Sequence, residues 1–139
     1  MSSWSKLAGV LTVGLLSTAA WAQSEPLMVD VEIDPTGTVS SVDGAATISG
    51  TVFCSQPSTA YLYGRVTQKS GRNVASGFFY TNVPCDGLTA WTATVIPDNL
   101  RFSNGPARVQ VSAEVYDPEA GFFATDQEMV IVDLRRSRN

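Results

Sequence analysis

An all-β sandwich of about seven antiparallel strands is the fold class this 139-residue chain predicts. Three observations predict it. Apolar and polar residues alternate at period two along most of the chain, and no segment beyond residue 22 sustains a helical period. Clusters of Gly, Pro, Asn, Asp and Ser interrupt the alternation at short intervals, where turns need them. Two cysteines, Cys54 and Cys85, follow an N-terminal export signal, so one disulfide is expected to staple the strands.

The first strand is read from Leu27, Val29, Val31 and Ile33 alternating with Met28, Asp30, Glu32 and Asp34, and it ends at Pro35-Thr36-Gly37. In the second, Ala46, Ile48, Gly50, Val52 and Cys54 share one face, which puts Cys54 inward. Ser55-Gln56-Pro57-Ser58 makes a turn. The third strand sets Leu62, Gly64 and Val66 against Tyr61, Tyr63, Arg65 and Thr67. Ser70-Gly71-Arg72-Asn73 forms a hairpin loop into a fourth strand, Val74 to Val83, where Phe78 and Tyr80 oppose Phe79 and Thr81. Pro84-Cys85-Asp86-Gly87 closes it. The fifth strand, Thr89 to Ile96, aligns Trp91, Ala93 and Val95. A polar link, Pro97 to Pro106, carries Phe102 as a buried anchor. The sixth alternates Ala107, Val109, Val111, Ala113 and Val115 with polar residues. The seventh runs from Phe122 to Leu134, and its Met129 to Val132 run breaks the alternation, by burial on both faces or by a bulge.

Strands at this spacing indicate Greek-key connections, with a small barrel as the competing architecture. Trp91 follows both cysteines instead of lying between them. The expectation is therefore an immunoglobulin-like sandwich and not an antibody-type domain.

Residues 1–22 read as a cleavable signal peptide. Lys6 provides the positive end, Leu7 to Ala20 the apolar run, and Ala20-Trp21-Ala22 the small-x-small cleavage site before Gln23. The run is short for a bilayer span, which takes about 20 apolar residues. Residues 23–134 then form the domain and 135–139 a basic tail, and no membrane insertion of the mature chain is expected. Without Lys6 the chain keeps eight basic residues against thirteen acids, a net charge of −5. That balance argues against nucleic acid as a partner. The mature protein is expected to be secreted, extracellular or periplasmic, and monomeric.

The succession Ser49-Gly50-Thr51-Val52-Phe53-Cys54, then Val83-Pro84-Cys85-Asp86-Gly87, then Trp91-Thr92-Ala93-Thr94-Val95 resembles a family of small secreted bacterial proteins with no assigned activity. Phe102, Gly105, Ala107, Val109 and Val111 continue the likeness, which covers most of the mature chain. The resemblance implies a single immunoglobulin-like domain and an exported location, and it transfers no catalytic residue. Some members carry a further cysteine pair near the sixth and seventh strands. Here Tyr116-Asp117-Pro118 and Gly121-Phe122 stand in that region without one.

The chain contains no histidine. Ser-His-Asp and Cys-His nucleophile systems are therefore excluded, as are imidazole metal centres. Lys69 beside Ser70 sits in a hairpin loop, a solvated place for a dyad. The acids fall mainly on outward faces and turns, which does not suit a glycosidase pair. Asp34, Asp43, Asp117, Glu119 and Asp126 lie in or near loops as oxygen donors for calcium, but form no ordered series. No enzyme activity, cofactor or metal is expected. The binding candidate is an outward stripe of Tyr61, Tyr63 and Arg65, joined by Phe79, since such residues dominate interfaces and stack on sugars. A protein or glycan ligand is the expected partner. Two alternatives remain: a hydrolase inhibitor presenting Pro97 to Pro106, and a small-molecule carrier with a pocket lined by Phe78, Tyr80, Phe122 or Phe123.

Overall fold

The computed structural model describes residues 25–137. The signal-peptide reading, the Ala22-Gln23 junction and Arg138 lie outside the described residues. Six strands form: β1 (Val29–Ile33), β2 (Thr36–Val39), β3 (Ala46–Ser70), β4 (Asn73–Val95), β5 (Gly105–Asp117) and β6 (Phe122–Arg136). All pairings are antiparallel except one, β2 with β6.

Six strands replace the expected seven because the chain passes two turn signals without leaving its ladder. The second and third predicted strands are one strand, β3, and the fourth and fifth are one strand, β4. Ser55-Gln56-Pro57 is a bulge between Cys54 and Ser58, and β4 continues opposite it through Pro84-Cys85-Asp86-Gly87. A bulge bends its strand and adds twist. Below the bend, Ala46–Cys54 pairs with Gly87–Val95 and with β1. Above it, Ser58–Ser70 pairs with Asn73–Cys85 and with β5, and β5 pairs with β6. β1 also packs against β5 and β6 without a backbone ladder to either. Side chains from both halves of the hairpin, Trp91 and Phe79 among them, meet in one core.

A further strand forms where the sequence suggested a loop. Pro35 ends β1, and Thr36–Val39 then pairs antiparallel with β3 and parallel with the end of β6. That register includes Arg135 opposite Thr38 and Arg136 opposite Val39, so the first residues of the expected basic tail belong to β6.

The disulfide Cys54–Cys85 sits at the bend, with 5.8 Å between Cα atoms, and both residues are buried. Trp91 and Phe79 stack in the core at 6.1 Å between ring centroids. Each lies across the ladder from a glycine, Trp91 from Gly50 and Phe79 from Gly64. A Cβ on Gly64 would meet the Phe79 ring at 2.6 Å and the Gln110 carbonyl oxygen at 2.0 Å. Glycine is required there by space and not by φ. The expected alternation holds over β5, whose Ala107, Val109, Val111, Ala113 and Val115 are all buried. Phe102 is buried as expected.

Its link is tied down by Gln68, an almost fully buried amide. The Gln68 side-chain NH₂ donates to the Ser103 carbonyl at 2.8 Å, and its Oε1 accepts from the Ser103 N–H at 2.9 Å. A buried amide left unpaired costs on the order of 1–3 kcal/mol, so these bonds make its burial tolerable. Asn99 covers part of the outer edge of β4 in the same way, accepting from the Ser76 N–H and donating to the Val74 carbonyl. Side chains that occupy an edge ladder in this way block sheet extension.

Two carboxylates hold β1 and the segment before it. Asp126 accepts from the Val31 N–H at 2.8 Å. Asp117, 6% exposed, accepts from the Leu27, Glu119 and Ala120 N–H groups. Burial pushes the Asp117 carboxyl up, but the donors at Ala120, Leu27 and Glu119 outweigh it and leave the group below its ordinary value.

Removing the bridge with Cys54→Ala/Cys85→Ala should cost roughly 3–4 kcal/mol, the chain-entropy expectation for a loop of this size. The denaturant midpoint measures it, and an unchanged midpoint would contradict the bend as a point of constraint. Asp117 gives a pH signature. A carboxyl with a depressed folded pKa contributes fully above its unfolded value of ~3.9, and that contribution disappears as pH falls through the folded value. Melting temperature should therefore fall below about pH 4 more steeply in the native protein than in Asp117→Asn, and parallel acid limbs would refute it.

Candidate functional site

Cross-strand partners share a face, so the ladder registers define what the outer side of β4, β3, β5 and β6 presents. One row reads Tyr80, Tyr63, Ser112, Gln127 across the four strands, and the next reads Phe78, Arg65, Gln110, Met129. Tyr61 and Glu114 stand in the row beyond Tyr63.

Three of the four sequence-predicted ligand residues lie on this face. Tyr61 is 36% exposed and Tyr63 41%, and Arg65 is exposed between β4 and β5. Phe79 does not join them. It is 5% exposed and faces the core against Trp91. The neighbour of Arg65 is Phe78, 62% exposed, with the guanidinium carbon 4.9 Å from its ring centroid. The cause is register. Ser70 pairs with Asn73 around a two-residue loop with Gly71 in the left-handed region, and counting back along the ladder puts Arg65 opposite Phe78. That loop length was the signal in the sequence that could have separated Phe78 from Phe79. Tyr80, also 62% exposed, extends the aromatic surface.

The Tyr63 ring is held by its hydroxyl, which donates to Glu114 Oε2 at 2.6 Å. The Glu114 carboxylate, partial burial and the charge of Glu114 raise the phenol above its ordinary value, against a smaller lowering by the Ser112 hydroxyl. Around Arg65, an open depression of about 500 Å³ is lined by Tyr63, Phe78, Gln110, Ser112 and Gln127. The outward positions also carry Lys69 and Arg108. Their acids are Glu114, occupied by Tyr63, and Asp133, paired with Arg135 at 2.6 Å. A chain with net negative charge thus carries an excess of cations on this face.

Of the residues expected to line a carrier pocket, Phe78 lines the depression around Arg65. Phe78 and Tyr80 lie on β4, whereas Phe122 and Phe123 lie on β6, with β3 and β5 between them and with Phe123 edge-on to Tyr116. The loop acids also have local duties: Asp43 accepts from the Ala45 N–H, and Asp117 and Asp126 hold the N-terminal segment. Among the described residues no group of three or more acidic or cysteine side chains is arranged to hold a metal.

These features define an all-β domain with one disulfide and an aromatic, cationic outer face. The chain belongs to DUF6299, a family of unknown function, whose model matches residues 28–129. No curated protein matches the chain. Among solved structures it is similar to the solution structure of CsgH from R. palustris, with 14% identity, a TM-score of 0.41, and coverage of 77% of this chain and 91% of that one.

The tie to Glu114 can be read by titration. Phenolate absorbance should show Tyr63 ionising at higher pH than an exposed tyrosine, and Glu114→Gln should bring it back toward the ordinary value of ~10. An unchanged titration in that variant would refute the assignment.

Proposed function

We propose that this protein is an exported, non-enzymatic binding module of immunoglobulin-like architecture that engages a protein or glycan through the outer face of β4, β3, β5 and β6. The signal-like N-terminus and the disulfide support export into an oxidising compartment. A sandwich reading is supported by the bend in β3 and by the passage at Pro35 from β1 to β2, which reaches β6, since strands that change sheets at bends form the corners of such folds. The lack of histidine supports a role without acid–base chemistry.

One observation carries the functional reading. Tyr61, Tyr63, Phe78 and Tyr80 gather around Arg65 on one exposed surface. Tyrosine and arginine bury large areas at low entropic cost and keep polar tips, and exposed aromatic patches on a soluble domain mark interaction sites. A hydrolase inhibitor is the second reading, because Gln68, Asn99 and Phe102 hold the Pro97 to Pro106 link rigidly enough to present it.

Affinity capture from the host's culture supernatant and envelope, with the oxidised protein as bait, tests the first reading. A specific partner retained by the native protein and lost with Tyr61→Ala/Tyr63→Ala, at unchanged circular dichroism, is the expected result. A partner indifferent to that double substitution but lost when the Pro97 to Pro106 link is altered would move the function to the link.

A further inference from the structure

We infer that the depression around Arg65 binds a carboxylated sugar unit of an acidic glycan, a specification that rests on the outer face being the binding surface. Three observations lead there. First, charge is complementary to an anion: Arg65, Lys69 and Arg108 project outward, and none has an ion-pair partner among the described residues. The Arg65 guanidinium carbon lies over the Phe78 ring at 4.9 Å from its centroid, and its N–H groups form no ion pair with a described residue, so they are available to a carboxylate.

Second, the lining mixes flat rings with neutral hydrogen-bonding groups. Phe78 and Tyr63 supply aromatic rings, and the Gln110 and Gln127 amides form no hydrogen bond with another described residue. Such amides can both donate to and accept from hydroxyl groups, which a sugar presents on every edge. Tyr63 is already fixed by Glu114, so its ring is positioned before a ligand arrives.

Third, the setting is unsuited to an acidic peptide. The depression lies over β3 and β5, each paired on both sides here, so neither offers a free backbone ladder for strand addition. It is an open depression and not a closed hole. A polymer with repeated carboxylates would also find Arg108 one row and Lys69 two rows further along the same face.

The test is calorimetric titration of the full chain, oxidised, with polygalacturonate, alginate and hyaluronan, beside neutral dextran and poly-glutamate. At least one carboxylated glycan should bind, and binding should weaken as salt rises. Arg65→Gln and Phe78→Ala should each weaken it at least tenfold with the melting temperature held, and Arg65→Lys should recover part of the loss. Dextran and poly-glutamate should bind at least tenfold more weakly. Equal binding of poly-glutamate, or binding unmoved by Arg65→Gln, overturns the inference. So does silence from all three acidic glycans, and if the captured partner is then still lost with Tyr61→Ala/Tyr63→Ala, the outer face remains a binding surface for another ligand.

Discussion

The bend shared by β3 and β4 is the constraint on which the rest of the molecule depends. A hairpin of this length left straight would be a ribbon with two wet faces, and two strands alone do not hold together in water. The bulge between Cys54 and Ser58 bends that ribbon, and the Cys54–Cys85 bridge ties the two strands beside it. Once bent, each half recruits its own neighbours: β1 on one side, β5 and then β6 on the other. Gly50 and Gly64 let Trp91 and Phe79 lie flat across the strands in the space between.

Most of this architecture was legible in the sequence because period-two alternation is a direct consequence of strand geometry. The β5 pattern and the inward face of Cys54 follow from it without further information. What misled was punctuation. Ser55-Gln56-Pro57-Ser58 and Pro84-Cys85-Asp86-Gly87 are composed like turns, yet they face each other, and a paired bulge uses the same residue types as a chain reversal. The strand at Thr36–Val39 could not be seen because its reason is a partner near the other end of the chain.

The outer face of β4, β3, β5 and β6 shows the same division. Alternation correctly grouped Tyr61, Tyr63 and Arg65, since that grouping lies within one strand. Choosing between Phe78 and Phe79 needed the register between strands, and a slip of one position exchanges core for surface. Gln110, Gln127 and Glu114 were ordinary polar residues in the sequence, and only the ladders bring them beside Arg65 and Tyr63.

The parallel pairing of β2 with β6 has a consequence for how the molecule assembles. The β3–β4 and β5–β6 hairpins join neighbours in sequence, whereas Thr36 must find Asp133 across nearly the whole domain. Pairings between distant segments require the largest loop closures, whose entropy must be overcome before they contribute. Synthesis runs from the N-terminus, so β2 and its antiparallel partner β3 exist long before β6. β2 can therefore be held on its β3 side early, whereas a chain truncated before β6 would leave its other side without a partner.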